Sequence, residues 1–312
     1  MSNAIGAHDP SVAVRRRHLP SGAGEEYSRA MSPSATGPRI ALLTVLAMLA
    51  FAGNSILCRL ALTSTTIDAA SFTAIRLVSG ALILVVILRA RGVGPTSGGS
   101  WPMAAMLSAY AAFFSFAYRD LSAATGALLL FGAVQFTMTG YGLWQGERFH
   151  GLRLIGLLVA AAGLVGLLLP GLAAPPIGAA IMMLAAGAAW GVYSLLGRSA
   201  GEPIAATGGN FLRSVPFAAV LILSTFGRVD SDLTGASYAV LSGAVTSGLG
   251  YVLWYAALPA LGATSAATIQ LSVPAIAAIG GAMLLAEPVT PRLLLASAAI
   301  LGGIALVINR KG

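Results

Sequence analysis

The chain has 312 residues, of which 57% are hydrophobic and 9% charged, and its formal net charge is +8. Soluble domains carry about 25% charged residues, so this composition excludes a soluble enzyme. A secreted disulfide scaffold is excluded too, because Cys58 is the single cysteine. The basic residues are dispersed over chain ends and loops, so the positive charge does not indicate a nucleic-acid partner. The composition is typical of a membrane protein.

The first segment, residues 1–38, is polar, with arginines standing among Gly, Ser, Pro and Ala. The first apolar run after these arginines starts at Ile40 and is too long for a cleaved signal peptide. We therefore expect a disordered, basic, cytoplasmic tail that helps to set the orientation of the chain.

The remaining residues, 39–309, have room for about ten membrane helices at roughly 20 apolar residues per crossing. Polar residues, Pro and Gly divide this stretch into ten apolar runs. The sequence thus predicts an all-α polytopic membrane protein with ten transmembrane helices. The predicted spans are 39–62, 68–90, 101–119, 122–145, 151–169, 177–199, 203–226, 235–258, 262–286 and 291–309.

The basic residues predict the orientation. With the N-terminus in the cytoplasm, twelve Lys and Arg residues fall on the cytoplasmic side and four on the other. This bias follows the positive-inside rule. An even number of spans then places both termini in the cytoplasm, and we expect the bacterial inner membrane as the location.

An internal repeat is visible when the chain is shifted along itself by about 140 residues. Glu147 then falls on Glu287 and Gly163 on Gly303, while Arg76 falls on Arg213 at a shift of 137. Two homologous halves, 39–169 and 177–309, follow from these matches. Each half has five spans, an odd number, so the second is inverted. Transporters built in this way place their site near the midplane, between the halves.

The segments FAGNSILCRLAL, YRDLSAATGALLLFGAVQF and AEPVTPRLLLASAAILGGIALVI carry a family resemblance. They resemble the drug/metabolite transporter superfamily and, more narrowly, its EamA-type branch, which includes the YddG-like amino-acid exporters. The resemblance covers essentially all of 39–309 and implies ten helices and a transport function. One departure is Ala52 before Gly53, where the family often has Trp; the second half keeps Trp190 before Gly191.

The candidate cavity wall consists of helices one, three, four, six, eight and nine, which hold the polar and aromatic side chains. Helices five and ten are aliphatic and Gly-rich, as expected of close-packed scaffold helices. Amides inside apolar helices need hydrogen-bonding partners, and aromatic rings offer an apolar body with a polar edge. The predicted substrate-binding residues are Asn54, Tyr110, Phe114, Gln135, Trp190, Tyr193, Tyr251 and Gln270.

Three aromatic residues, Tyr118, Trp254 and Tyr255, are candidate gates; ordinary packing between helices is the alternative. Trp254, with Trp101 and Trp144, also lies near a cytoplasmic end of its span, where interfacial aromatic residues are expected.

Charged residues inside the spans are rare. Arg76 and Arg213 are the only charges deep in predicted spans, and intramembrane charges are functional candidates. A structural role for both is the alternative. The carboxylates Glu147 and Glu287, at helix ends, are expected to accept hydrogen bonds from N–H groups that open the following helix.

Several residue types are missing from the centres of the predicted spans, and this argues against some transport mechanisms and cargoes. No Asp, Glu or His falls at the centre of a predicted span, so a proton relay is not evident. No Lys occurs before Lys311, which argues against a phosphate-bearing cargo. Because no metal or protease motif is present, we expect no enzyme activity and no cofactor.

These patterns predict an exporter of small neutral metabolites, amino acids above all, including aromatic or apolar ones. It would work by alternating access, as a facilitator or exchanger. Efflux of drugs or quaternary cations is the alternative within transport, and a non-transporting membrane scaffold is the alternative of another class. The expected partners are a small-molecule substrate and the lipid bilayer, with the protein a monomer or a weak homodimer.

Overall fold

The computed structural model describes residues 37–146, 148, 150–171, 174–198, 200–225, 230–261 and 263–308. Residues from Ile40 onward belong to one compact unit. Residues 1–36 of the predicted N-terminal tail lie outside the described residues, as do Glu147, Arg310 and Lys311, whereas residues 37 and 38 begin the first helix.

Ten helices cross this unit, and the described residues include no strand, which confirms the predicted all-α polytopic fold. Eight are long and apolar enough to span a membrane, and the other two, the third and the fifth, are shorter and apolar. We number the helices α1 Gly37–Ser64, α2 Ala69–Ala90, α3 Trp101–Ala117, α4 Ala123–Trp144, α5 Leu152–Leu168, α6 Ile177–Gly197, α7 Pro203–Ser224, α8 Leu233–Ala260, α9a Ala263–Gln270 with α9b Ser272–Leu285, and α10 Pro291–Ile308.

Helix starts coincide with residues that can cap them. The Ser100 hydroxyl accepts from the Met103 N–H at the start of α3, and the Ser122 hydroxyl accepts from Thr125 N–H at the start of α4. Thr290 caps α10 by accepting from Leu293 N–H, with Pro291 in the first turn. These caps satisfy N–H groups that a helix leaves without internal partners.

Two helices depart from regular α geometry. The middle of α8, Leu241–Leu249, is a π-helix of nine residues, and such segments are frequent at functional sites. Helix α9 is interrupted at Leu271, three residues before Pro274. Proline removes one hydrogen bond and clashes with the carbonyl four residues earlier, here that of Gln270, which explains the break between α9a and α9b.

The α5–α10 pair confirms the predicted scaffold. Its helices make the most extensive contact in the protein and contribute no residue to the cavity described below. A Cβ atom at Gly156 would lie 2.5 Å from the Gly303 carbonyl oxygen, and the same distance separates a Cβ at Gly303 from the Gly156 carbonyl oxygen. The glycines therefore let the two backbones approach as close-packed membrane helices require.

Helices α1 and α6, the first of each predicted repeat, pack differently. Helix α6 lies along both α3 and α4, whereas α1 approaches no other described helix as extensively. Because five helices precede α6, it begins on the membrane side opposite to the start of α1.

The outer surface is apolar, as contact with lipid requires. Trp101 and Trp144 are exposed near helix ends, in agreement with an interfacial position. The prediction for Trp254 is wrong in this respect: its side chain is buried against Phe51 and belongs to the interior of the bundle.

Candidate functional site

A cavity of about 440 Å³ lies between six helices, α1, α3, α4, α6, α8 and α9. These are the six helices from which the sequence predicted a cavity wall. The wall contains all eight predicted substrate-binding residues, namely Asn54, Tyr110, Phe114, Gln135, Trp190, Tyr193, Tyr251 and Gln270. The candidate gates Trp254 and Tyr255 line it as well, whereas Tyr118 does not.

The cavity extends toward one side of the membrane. Its wall includes Arg198 and Leu258, at the ends of α6 and α8, and Ala266 near the start of α9a. These positions lie on the side where α1 begins, because successive helices alternate in direction. In the other direction the cavity stops in the middle of the bundle, at Asn54, Phe114 and Ser247. We call this inner limit the closed end and the other the open end.

Aromatic rings form much of the wall. Trp190 stacks on Tyr193 and on Tyr251, with ring centroids 5.1 and 5.4 Å apart, and its centroid lies 4.9 Å from that of Tyr110. Tyr110 in turn contacts Phe114 at 5.4 Å. Such tilted and stacked pairs stabilise one another beyond simple burial. The result is a rigid surface suited to flat or apolar groups.

A polar network crosses the closed end. The Asn54 side-chain oxygen accepts a hydrogen bond from the Ser242 hydroxyl at 2.7 Å, and the Asn54 amide nitrogen donates to the Tyr110 hydroxyl at 3.4 Å. Thr246 lies 3.5 Å from the same oxygen but donates its hydroxyl hydrogen to the Ser242 carbonyl at 2.8 Å. The Ser242 hydroxyl therefore orients the amide of Asn54 with its N–H₂ group toward Tyr110.

Arg76 lies directly behind this network. Its guanidinium donates to the Tyr110 hydroxyl at 3.1 Å and to the Ser247 hydroxyl at 3.3 Å, and lies 5.2 and 4.9 Å from the ring centroids of Tyr110 and Phe114. The side chain is 2% exposed, and its Nη1 atom has no hydrogen-bond partner. One layer of side chains thus separates a buried positive charge from the cavity.

Arg213, the match of Arg76 in the predicted repeat, has a different environment. Its Nη1 donates to the carbonyl oxygens of Gly98 and Gly209, at 2.7 and 3.0 Å. The guanidinium therefore ties the α2–α3 loop to α7 and does not line the cavity. These contacts favour the structural alternative for Arg213.

Tyr118 lies beyond the closed end. It is fully buried, packs edge-on against Phe114 at 4.6 Å, and donates from its hydroxyl to the Ala123 carbonyl at 3.3 Å. Gly126 provides the space for its ring, because a Cβ atom at this position would overlap the ring. Tyr118 therefore extends the barrier at the closed end away from the cavity.

An ion pair fixes the side of the protein beyond the closed end. Arg59 at the end of α1 pairs with Glu287 at 3.0 Å and donates to the carbonyls of Tyr118 and Arg119. The second carboxylate oxygen of Glu287 accepts from Ala123 N–H at 2.8 Å. Glu287 does accept from a helix N-terminus, but the prediction named the wrong helix: it caps α4 instead of the following α10.

Two aspartates on the same side join the α1–α2 loop to the loop before α8. Burial raises the pKa of Asp68, but hydrogen bonds from Ser71, Asp230 and Ala70 outweigh it and lower the pKa below its usual value. Hydrogen bonds from the Thr66 and Gly235 backbone lower the pKa of Asp232. Both aspartates also cap helices, Asp68 at α2 and Asp232 at α8. This side is therefore held by charge-assisted hydrogen bonds.

Several wall and network residues are not among those predicted from the sequence. Ser242, Thr246 and Phe51 are absent from the predicted cavity, as is Ser247. The Gly- and Ser-rich stretch 242–250 inside an otherwise apolar helix is the signal that points to Ser242, Thr246 and Ser247, whereas Phe51 has no such signal. The π-helix has no comparable signal, since it depends on how α8 packs against α2.

The charged side chains at the cavity, among the described residues, are all basic. Its lining contains Arg198 at the open end and no Asp or Glu among the described residues. The part of the chain that the structure describes also holds no group of three or more His, Cys, Asp or Glu side chains that could bind a metal. The cavity is thus an aromatic chamber with neutral polar groups and a positive charge behind its closed end.

Comparisons with known proteins agree with this architecture. The profile of the EamA-like transporter family matches residues 177–309. An uncharacterized protein of Pseudomonas aeruginosa is 58% identical over 272 residues, covering 86% of this chain and 94% of the relative. An uncharacterized transporter of Archaeoglobus fulgidus is 26% identical over 209 residues, 66% of this chain and 75% of the relative.

A solved structure described only as "Crystal structure of protein" is similar in fold. It has a TM-score of 0.60 and 19% sequence identity, and the match covers 86% of this chain and 97% of that one. At this identity the likeness concerns the fold alone.

Proposed function

Because the chain belongs to the EamA-like transporter family, we propose that it exports small neutral metabolites, amino acids above all, across the bacterial inner membrane. The observation that carries this proposal is the cavity of about 440 Å³ with an aromatic wall and neutral amides and hydroxyls. Ligand pockets typically measure about 300–1,000 Å³ and combine apolar walls with a few polar groups. A single amino acid fits this volume.

The wall divides into two kinds of surface that suit the two parts of such a cargo. The rings of Trp190, Tyr193 and Tyr251 would pack on an apolar or aromatic side chain. Gln135 and Gln270 would contact the polar head group in passage, and Asn54 would do so at the closed end. A hydrophobic wall with few polar groups favours zwitterions with apolar side chains over strongly polar solutes.

Transport would proceed by alternating access between the two predicted repeats. With both termini in the cytoplasm, the open end faces the cytoplasm, as loading for export requires. Trp254 and Tyr255, on the wall toward the open end, are then candidate inner gates, and Tyr118 belongs to the barrier on the outer side. In the absence of a carboxylate in the described wall, the proposal is facilitated export or exchange.

Efflux of quaternary cations is less well supported. An aromatic chamber does attract cations, but Arg198 and the buried Arg76 give the cavity positive charge at both ends. A cationic cargo would be repelled at the entrance and at the closed end.

The test is efflux from proteoliposomes loaded with labelled amino acids. We expect saturable efflux of one or more apolar or aromatic amino acids, and a loss of up to about tenfold in Trp190→Leu, since an aromatic pair is worth roughly 0.5–1.5 kcal/mol beyond burial. Trp144→Leu is the matched control, because Trp144 is 79% exposed and far from the lining. Absence of saturable efflux for all twenty amino acids would refute the proposal, as would saturable efflux of a cationic dye alone.

A further inference from the structure

Two hydroxyl groups at the closed end of the cavity, those of Tyr110 and Ser247, have no acceptor for their hydrogens among the described residues. The Tyr110 oxygen accepts from both Asn54 and Arg76, and the Ser247 oxygen accepts from Arg76. Within the described residues neither hydroxyl hydrogen has an acceptor. Each hydroxyl has one O–H donor, and both residues line the cavity. Since Arg76 can only donate to these oxygens, each hydroxyl keeps its O–H for an acceptor in the cavity.

Asn54 also presents a hydrogen-bond donor at the closed end. Its side-chain oxygen accepts from the Ser242 hydroxyl at 2.7 Å. The amide therefore presents its N–H₂ group, which has one hydrogen beyond the bond to Tyr110. Tyr110, Ser247 and Asn54 thus each present a donor at the closed end, where the hydroxyl groups of Ser55 and Thr246 also line the cavity.

The charge behind them has no counterion. Arg76 is 2% exposed, its Nη1 lacks a partner, and the ion pair found among the described residues, Arg59 with Glu287, does not include it. A buried and unpaired charge is costly in a membrane protein and marks a functional site by default. The repeat-related Arg213 avoids this situation by binding two carbonyl oxygens.

From this arrangement we infer that the closed end binds the carboxylate of the cargo, with the Tyr110 and Ser247 hydroxyls and the Asn54 amide as donors and Arg76 as the charge behind them. The inference rests on the proposed function and narrows it to solutes that carry a free carboxylate. Arg76 is a positioning residue: it orients the two hydroxyls and supplies the positive potential without touching the cargo. A charged acceptor strengthens each of these hydrogen bonds.

The apolar part of the cargo then extends toward the open end. Trp190 lies beside Tyr110 on that path, at 4.9 Å, and Tyr251 lies 5.4 Å from Trp190. A carboxylate at the closed end thus places a side chain against the stacked rings. The arrangement selects monocarboxylates with apolar or aromatic substituents.

The test measures binding of labelled L-phenylalanine to the purified full-length protein, with three unlabelled competitors of similar shape. These are L-phenylalaninamide and 2-phenylethylamine, which lack the carboxylate, and 3-phenylpropionate, which lacks the amine. We expect phenylalanine and 3-phenylpropionate to compete, and both compounds without a carboxylate to bind at least about tenfold more weakly, since sites built to hydrogen-bond a group discriminate strongly against its loss.

Conservative variants show whether the named donors cause this preference. Tyr110→Phe and Ser247→Ala keep the packing and remove one donor each, so the preference for phenylalanine over its amide should fall about three- to tenfold, because phenylalanine loses a charge-assisted hydrogen bond and the amide at most a weaker neutral one. Arg76→Gln should reduce the preference further. Because that variant can fail to fold, the two conservative variants decide. Arg213→Gln is the control and should keep the wild-type preference.

The outcomes separate the two proposals. Equal binding of phenylalanine and its amide would overturn the carboxylate site and leave the exporter standing. Competition by 3-phenylpropionate together with no transport of any amino acid would overturn the amino-acid exporter and leave the carboxylate site standing. A preference for the carboxylate that survives in both Tyr110→Phe and Ser247→Ala would overturn the assignment of the donors. No binding of either carboxylate would overturn the carboxylate site, and the exporter would still be decided by the efflux of the twenty amino acids.

Discussion

Helices α1 and α6 occupy corresponding positions in the two predicted repeats, yet only α6 is packed closely. A Cβ atom at Gly187 of α6 would lie 2.5 Å from the Leu130 carbonyl oxygen, and one at Gly191 would lie 2.8 Å from the Thr137 side chain. At Gly53, which matches Gly191 in the repeat, the nearest atom would be the Thr246 methyl at 3.5 Å. Glycine is therefore required in α6, whereas a Cβ atom at Gly53 of α1 would make only an ordinary van der Waals contact.

This difference explains where the cavity lies. The interface of α6 with α3 and α4 is close-packed. Beside α1, in contrast, lies the cavity with its aromatic wall. The first helices of the two predicted repeats thus adopt two different packings in one structure. Alternating access, which we propose for this protein, requires two such packings that can be exchanged.

The largest effect on stability is expected from alanine substitutions of the glycines in α6 and α1. Gly187→Ala would place its methyl group against the Leu130 carbonyl, so we expect a loss of stability of about 1–3 kcal/mol, as for other overpacked sites. Gly53→Ala meets only ordinary contacts and should leave the stability unchanged or increase it, since Ala favours a helix by about 1 kcal/mol over Gly. Thermal unfolding of the detergent-solubilised variants measures both. Equal destabilisation would contradict the difference between α6 and α1.

A smaller effect is expected at the ion pair that holds the end of α1. The side chains of Arg59 and Glu287 are 20% and 12% exposed. Arg59→Gln removes the charge of this pair and should lower the free energy of unfolding by about 1–2 kcal/mol. With its bond to Glu287 at the end of α9b removed, this end of α1 should admit solvent to the closed end. We therefore expect faster labelling of Ser55→Cys by a membrane-impermeant thiol reagent added on that side, in a Cys58→Ala background.

The control for this experiment is Arg119→Gln. Arg119 lies on the same side and contributes its backbone carbonyl to the Arg59 contact, while its residue is exposed. Its substitution removes the same charge without removing the ion pair. If both variants raise the labelling rate equally, a change of surface charge is the cause and the ion pair does not restrain α1.

The smallest effect is expected at Asp232, and it depends on pH. Its pKa is lowered in the folded protein by hydrogen bonds from Thr66 and Gly235. A lowered pKa means that the ionised form stabilises the fold above the unfolded pKa, near 3.8, and that this stability is lost as the pH falls through the folded value. Asp232→Asn should thus lower the melting temperature at pH 7, and the difference from wild type should shrink below about pH 4.

Asp120→Asn is the control for this series, because Asp120 is exposed on the same side and caps neither α2 nor α8. It should melt like the wild type at pH 7. A difference for Asp232→Asn that stays constant down to about pH 3, below the unfolded pKa, would show that the carboxylate charge is not what stabilises this loop.

The membrane class, the number of helices and the helices of the cavity wall all follow from the amino-acid sequence alone. These properties depend on local composition: the apolar runs are long enough to cross a bilayer, and polar side chains on such runs must face the protein interior. For the same reason the sequence is sufficient to predict that Asn54, Gln135 and Trp190 line a cavity. All six predicted wall helices contribute to it.

The differences between repeat-related residues, in contrast, arise only in the folded molecule. Arg76 and Arg213 align in the sequence, yet one lies unpaired behind the cavity and the other binds loop carbonyls. Likewise Glu287 reaches the start of α4 because the chain brings two distant helix ends together. Hydrogen-bond partners and packing gaps depend on residues that are far apart in the chain. Matching positions of the two predicted repeats therefore differ in both, because their neighbours in the folded protein differ.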